Sequence, residues 1–326
     1  HMGKAYEYFL KASQNGSGYG SYSCGFILMK GSADIPRDIE KGLSMFRLAV
    51  DQNYKAATRD LARYYYSLET EEDNRKALDY YLQYIEYNPK DTDTLLHIGL
   101  IYESGLGVPL NIDLARRYYE RAAEQDETGM AYNFLGGTYM NDEETENNER
   151  KAVHYFQKAI ELGNTNAMFR ISYYLHNGKG GLQVDIPREI ELLTEASKRG
   201  NHQATYRLGL LFEDNESGMA QNLELSVKYF QLAADNGILA AINKMGELYL
   251  FGEVIPANLT KAISCFTAAS EQGYGKASYW LGRLHTDGIG QLEKDTQKAM
   301  NYYRKAIEQG YEEAREWMEQ IWWTRP

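Results

Sequence analysis

A small residue returns every 36 or 37 positions along this 326-residue chain: Gly25, Ala62, Gly99, Gly136, Ser172, Gly209, Gly246 and Gly282. Self-similarity at that period marks a repeat architecture, in which each unit buries its apolar face against its neighbours. Five residues before the last seven stand Ala57, Thr94, Ala131, Ala167, Ala204, Ala241 and Ala277. Three residues after all eight come Leu28, Tyr65, Tyr102, Tyr139, Leu175, Phe212, Tyr249 and His285. Offsets −5, −1 and +3 step by four, so they trace one stripe of a helix, helix A. A centre no larger than a methyl or hydroxyl lets a second helix come close.

Helix B follows about 16 residues later, with its own small residues at Ala5, Gly42, Ala77, Ala115, Ala152, Ser226, Ala262 and Ala299. Large pairs come next: Tyr8–Phe9, Met45–Phe46, Tyr80–Tyr81, Tyr118–Tyr119, Tyr155–Phe156, Tyr229–Phe230, Cys265–Phe266 and Tyr302–Tyr303. Ala12, Ala49, Ala122, Ala159, Ala233, Ala269 and Ala306 complete an apolar face of helical spacing. Gly16, Asn53, Asn88, Asp126, Gly163, Gly237, Gly273 and Gly310 then fall where the helix should stop, and such residues tolerate a left-handed cap. The fifth unit departs from the pattern, with Ser172 for Gly, Ile190 at the small position and Leu193-Thr194 for the aromatic pair. The second unit lacks a Gly-rich A–B loop and carries Tyr84 where Ala is usual.

The run Ile98-Gly99-Leu100-Ile101-Tyr102-Glu103-Ser104-Gly105-Leu106-Gly107-Val108, followed by Asp113-Leu114-Ala115-Arg116-Arg117-Tyr118-Tyr119-Glu120-Arg121-Ala122-Ala123, resembles the Sel-one-like repeat. That family is a longer-looped relative of the tetratricopeptide repeat. The resemblance extends over nearly the whole chain and implies an all-α fold. It implies a right-handed α/α superhelical solenoid of about eight helix-pair repeats, with half repeats at both ends. It also implies protein–protein interaction: adaptors, secretion or host-interaction factors, and immunity proteins that neutralise a cognate toxin.

A regular array predicts one domain over residues 3–326, with His1-Met2 read as a cloning remnant. Residues 3–16 read as a helix B without its helix A, a partial repeat left by trimming, for which a removed leader would be one reason. Residues 311–326 read as a capping helix carrying Trp317, Trp322 and Trp323. No apolar run approaches the roughly 18 residues of a membrane span. The expectation is a soluble, monomeric protein, cytoplasmic or, if a leader was removed, periplasmic or secreted. A net charge of −11 argues against nucleic acid and anionic membranes as partners and favours a basic protein. Cys24 and Cys265 belong to units too far apart to pair and read as inert core thiols, unlike the disulfide-bridged members of the family.

Linear motifs for chemistry are absent. There is no HExxH, Walker loop, GxSxG or Ser-x-x-Lys, so acylation of the penicillin-binding kind has no nucleophile. Gly178-Lys179-Gly180-Gly181 follows no strand and reads as an interhelical loop. The scattered histidines offer no metal-ligand spacing, and His285, in a core aromatic's place, reads as a satisfied buried imidazole. Acidic runs at Glu69–Asp73, Asp142–Glu146 and Glu213–Glu216 read as solvated A–B loops. No catalytic residue, metal or cofactor is expected.

If −5, −1 and +3 face the core, offsets −3, +1 and +4 project from the far side of helix A and line the concave surface. Unit by unit that surface holds Tyr22 and Phe26; Arg59, Arg63 and Tyr66; Asn133; Phe169, Tyr173 and His176; Tyr206; Asn243; and Tyr279 and Arg283. Tyr and Arg are enriched at interface centres, so these thirteen residues are the expected partner-binding face of a non-catalytic scaffold. Neighbouring A helices burying them against one another is the bland alternative. A glycan- or peptidoglycan-binding module using the same aromatics is a second reading of function, and an enzyme with a site assembled from several units a remote third.

Overall fold

At the centre of six repeats a glycine of one helix meets an aromatic ring of the next. A Cβ built on Gly25, Gly99, Gly136, Gly209, Gly246 or Gly282 would lie between 2.3 and 2.7 Å from a ring carbon of Phe46, Tyr119, Phe156, Phe230, Phe266 or Tyr303. Each of those rings is the second member of a helix-B pair and is buried. The repeating small residue is therefore a seat for a ring, and the ring sets how closely the two helices approach.

The computed structural model describes residues 2–214, 221–289 and 292–323, with side chains as far as 319. The described residues form eighteen helices and no strand, in two compact units, residues 1–164 and 165–326. The first unit holds α1 (Met2–Gln14), then the pairs α2 (Gly18–Lys30) with α3 (Ile39–Asp51) and α4 (Ala56–Tyr66) with α5 (Glu71–Tyr87). It continues with α6 (Thr92–Ser104) and α7 (Ile112–Ala123), and α8 (Met130–Met140) and α9 (Glu146–Glu161). The second holds α10 (Thr165–Asn177) with α11 (Ile186–Lys198), α12 (His202–Glu213) with α13 (Leu223–Asp235) and α14 (Leu239–Phe251) with α15 (Leu259–Glu271). It ends with α16 (Gly275–Asp287), α17 (Thr296–Glu308) and α18 (Ala314–Trp323). Within each unit successive pairs stack in chain order. The alanines at −5 are fully buried, as the stripe requires.

Helix B begins alike in every full pair. Asp38, Thr70, Asn111, Thr145, Asp185, Asn222, Asn258 and Asp295 each accept an amide hydrogen bond from three residues on. Six of them also donate their own amide to the carbonyl of the +3 residue of helix A, as Asn111 does to Tyr102 at 2.9 Å. Thr70 and Thr145 cap the two helices whose A–B loops lack glycines. Asn111→Ala keeps the backbone bond and loses the cap, so thermal denaturation should show a loss of about 1 kcal/mol.

Helix B ends in a left-handed residue at Gly16, Asn53, Gly163, Gly237, Gly273 and Gly310. The next residue's amide returns to the conserved-spacing alanine, as Tyr54 does to Ala49 at 2.8 Å, closing the orphan carbonyls. Asn88 and Asp126 break the expectation. Asn88 has φ −128° because α5 runs on to Tyr87. Asp126 is not left-handed; its carboxylate turns inward to accept from the amides of Thr128 and Ala131 at 2.8 and 2.7 Å.

The acidic runs also differ from expectation. Glu71, Glu72 and Asp73 form the first turn of α5 and Glu146 that of α9, where a carboxylate meets the positive end of the helix dipole. Asp142 does lie in a loop, and its hydrogen bond to Arg116 at 2.7 Å holds its carboxyl below the usual range. Part of the third run, and Trp322 and Trp323, lie outside the described residues and side chains.

The fifth repeat is shifted by one residue from its sequence reading. The buried large pair is Leu192 and Leu193, and Ala196 and Gly200 take the alanine and cap positions. The small position is then Glu189, not Ile190, and its side chain is fully buried.

Candidate partner-binding face

Each expected face residue sits on a helix A, and neighbouring A helices claim many of them. In the first unit the Tyr22 hydroxyl donates to Asp60 at 2.7 Å, and burial with that bond raises its pKa. Arg59 pairs with Asp91 at 3.4 Å and Arg63 with Asp93 at 2.6 Å. Tyr66 is half-buried, edge-on to His97 and Tyr81. In the second unit His176 contacts Glu189, and half-buried Tyr206 lies beside Phe230 with its phenol pushed up to about 12 by burial. Phe169 is half-buried. Arg283 lies 3.8 Å over the Trp317 ring and donates to the Tyr279 hydroxyl at 3.1 Å.

Three residues leave the surface altogether. Asn133, Asn243 and Tyr279 are buried, so a partner cannot touch them. Tyr311 and Trp317 cover Tyr279, and for Asn243 the reason lies at offsets −2 and −6 of the next helix A. Those positions reach back to the preceding helix A: Lys244 binds Glu213, and Lys276 binds Glu247, both at 2.8 Å, and Glu247 in turn accepts from Asn243 at 2.9 Å. The Trp280 indole donates to Glu247 at 2.9 Å and covers Phe266. Opposite charges recurring one repeat apart at −2 and +4, or −6 and +1, were the available signal.

What remains open is small and aromatic. Phe26 is 55% and Tyr173 39% exposed, and Arg63 is exposed beside its Asp93 partner. Phe26 borders a cavity of about 380 Å³ lined mainly by apolar side chains, among them Phe9, Tyr19 and Tyr22, with Lys30 at its edge. Tyr173 carries Lys179 on its hydroxyl at 3.0 Å. Among the described residues no group of three or more His, Cys, Asp or Glu side chains could hold a metal ion. His285 stacks on Tyr302 as the aromatic it replaces would, but its Nδ1 has no hydrogen-bond partner and burial lowers its pKa, so the imidazole is packed without being satisfied.

The most concentrated chemistry lies beneath this face, at Glu189. Its Oε1 accepts from Arg207 Nε and Nη2 at 3.1 and 3.0 Å, and its Oε2 lies 3.0 Å from His176 Nδ1. A buried carboxylate is tolerable only with such partners. Here they join α10, α11 and α12 where most other repeats use an alanine.

The repeats identified above coincide with a known family. The Sel1 repeat pattern matches residues 2–17, 19–54, 55–83, 94–127, 129–164, 165–201, 202–238, 239–274 and 275–311. The chain belongs to the Sel1 repeat family. A Sel1 repeat protein from Oxalobacter formigenes superposes with a TM-score of 0.72 at 23% identity, covering 97% of this chain and 90% of that one. A protective antigen from uropathogenic Escherichia coli with an SLR fold gives 0.64 at 20% identity, covering 98% and 67%. These likenesses are of fold, and they identify the stacked pairs as a helical solenoid. Protein sel-1 homolog 2 from Rattus norvegicus is 41% identical over 71 residues, which are 22% of this chain and 10% of that protein. The Sel1-repeat-containing protein YjcO of Escherichia coli K12 is 33% identical over 78 residues, 23% of this chain and 34% of that one. The chain thus matches a minor part of each curated relative's length. Sel1 repeats are a protein-interaction fold, and no described helix is long and apolar enough to cross a membrane.

Proposed function

We propose that this chain is a non-catalytic scaffold that binds another protein through the helix-A faces of its repeats. The observation that carries this reading is the exposure of Phe26 and Tyr173, where the other aromatics expected on these faces are half-buried or buried. Large rings left in water where neighbouring rings are packed are the residues a partner would cover, and such rings dominate interface energetics. The net charge of −11 favours a partner with a basic surface and fast, salt-sensitive association. An inhibitor covering a basic protein, such as a toxin held by its immunity protein, is the kind of role this charge suits.

The test begins with affinity capture and identification of the partner, followed by binding measurements with both proteins purified. Phe26→Ala with Arg63→Ala, and separately Tyr173→Ala, should each weaken binding at least tenfold while helicity by circular dichroism stays unchanged. A hot-spot ring contributes 2 kcal/mol or more, which is about a thirtyfold change in affinity. Affinity unchanged in both variants would remove the helix-A face from the account.

A further inference from the structure

The helix-B side of the second unit carries a vacancy in a repeating ring stack. In five repeats the +3 aromatic of helix A lies parallel to the first aromatic of the helix-B pair. The pairs are Tyr65–Tyr80, Tyr102–Tyr118, Tyr139–Tyr155, Phe212–Tyr229 and His285–Tyr302, with centroids 5.6–6.0 Å apart and planes within 13°. In the pair α14–α15 the helix-A ring is present as Tyr249, but its partner position is Cys265. A thiol is far smaller than a phenol. The missing ring leaves a recess of about 230 Å³ bordered by Ile242, Met245, Tyr249, Ser264 and Cys265.

The recess does not stand alone. It shares Gln231, Met245, Tyr249 and Lys261 with a cleft of about 620 Å³ running between α13 and the start of α15, floored by α14. Exposed Leu232 forms one wall, and Ile255 and Pro256 the other. Lys228, held by Glu224 at 2.8 Å, and Lys261 stand at the rim with Asp235, and the Lys261 ammonium sits 5.1 Å from the Tyr249 ring centre.

We propose that this cleft receives an acidic segment of a partner protein, which inserts one aromatic side chain into the recess and stacks it on Tyr249. The geometry specifies a ring because every stacked repeat fills the equivalent space with one. An elongated cleft, larger than a single ring requires, fits a polypeptide passing through. Lys261, which borders both the recess and the cleft, favours a carboxylate beside the inserted ring. This site lies on the opposite side of the hairpins from the helix-A faces, and the inference does not depend on the function proposed for them.

The test uses the whole 326-residue chain with methionine methyls labelled for NMR and the Met245 signal as reporter. The probe is the capped peptide Glu-Glu-Tyr-Glu-Glu, compared with its leucine and its lysine-flanked counterparts and with free p-cresol. The acidic tyrosine peptide should bind saturably and shift Met245, with the leucine and lysine-flanked peptides at least tenfold weaker. Cys265→Tyr supplies the missing ring from within, so it should abolish the shift while melting no lower than the parent. Tyr249→Leu, which keeps an apolar side chain in the wall but removes the stacking ring, should also weaken binding at least tenfold. The proposal fails if no peptide binds, if leucine serves as well as tyrosine, if the lysine-flanked peptide is preferred, or if Cys265→Tyr binds like the parent. Binding of p-cresol as tight as that of the peptide would assign the recess to a small aromatic molecule and overturn the protein segment.

Discussion

Arg207→Ala should destabilise the second unit by about 3–5 kcal/mol, the cost of leaving a buried charge without its partner. Glu189 is fully buried, and Arg207 supplies both hydrogen bonds to one of its oxygens. Without the guanidinium only His176 remains. The reciprocal change should be far milder. The Arg207 and His176 side chains are 27% and 29% exposed, so in Glu189→Ala each can turn to water, and alanine is the residue that most other repeats place there. The double variant Glu189→Ala with Arg207→Ala should therefore recover most of the single-variant loss. Arg207→Lys should recover only part, because an ammonium cannot reproduce the two-nitrogen contact. Repeats interact only with neighbours, so hydrogen exchange should accelerate in α10, α11 and α12 before it does in α16 and α17. A loss below about 1 kcal/mol would mean that water reaches the carboxylate, contrary to its burial.

That same residue shows where the sequence stops being legible. The period, the helix pairs, the ring-seating glycines and most helix ends can be read from the chain because each depends on residues close in sequence. The fifth repeat could not. A search for a small residue near the start of its helix B passes over a glutamate and settles on Ile190, since a carboxylate in that place is acceptable only given Arg207 and His176 on other helices. The partner-binding face failed in part for a related reason. Treating helix A as having a free side ignores the helix A before it, and Lys244, Lys276 and Trp280 reach across that gap. Asn133, Asn243 and Tyr279 were assigned to the surface by angle alone and are buried; Lys276 and Trp280 close over Asn243 through Glu247, and Tyr311 and Trp317 cover Tyr279. Phe26 and Tyr173 stay open because no such residue covers them. The vacancy at Cys265 was visible in the sequence as one odd member of an aromatic series. Only the parallel stacking of the other rings gives it meaning.

Gly99→Val should cost about 3 kcal/mol, the upper end of what overpacking a well-filled core does. A Cβ at Gly99 would lie 2.3 Å from Tyr119 Cε1, the tightest of the six glycine seats. Something must move, and Tyr119 is poorly placed to do so. Its hydroxyl donates to Glu103 at 2.6 Å, its other face stacks on Phe134 at 5.3 Å, and the ring is fully buried. Shifting the ring therefore breaks a charge-assisted bond or opens the contact to the next repeat. Gly99→Ala pits the same clash against the roughly 1 kcal/mol by which alanine favours a helix over glycine, so its loss should be visibly smaller. A double-mutant cycle with Tyr119→Leu separates the two contributions: once the ring is gone, Gly99→Ala should become neutral or stabilising. Urea denaturation of the four proteins measures the coupling. If Gly99→Val stays within about 0.5 kcal/mol of the parent, the ordinary range for a surface change, the glycine does not seat the ring. The 36–37-residue period would then need a cause other than close approach of helix A to helix B.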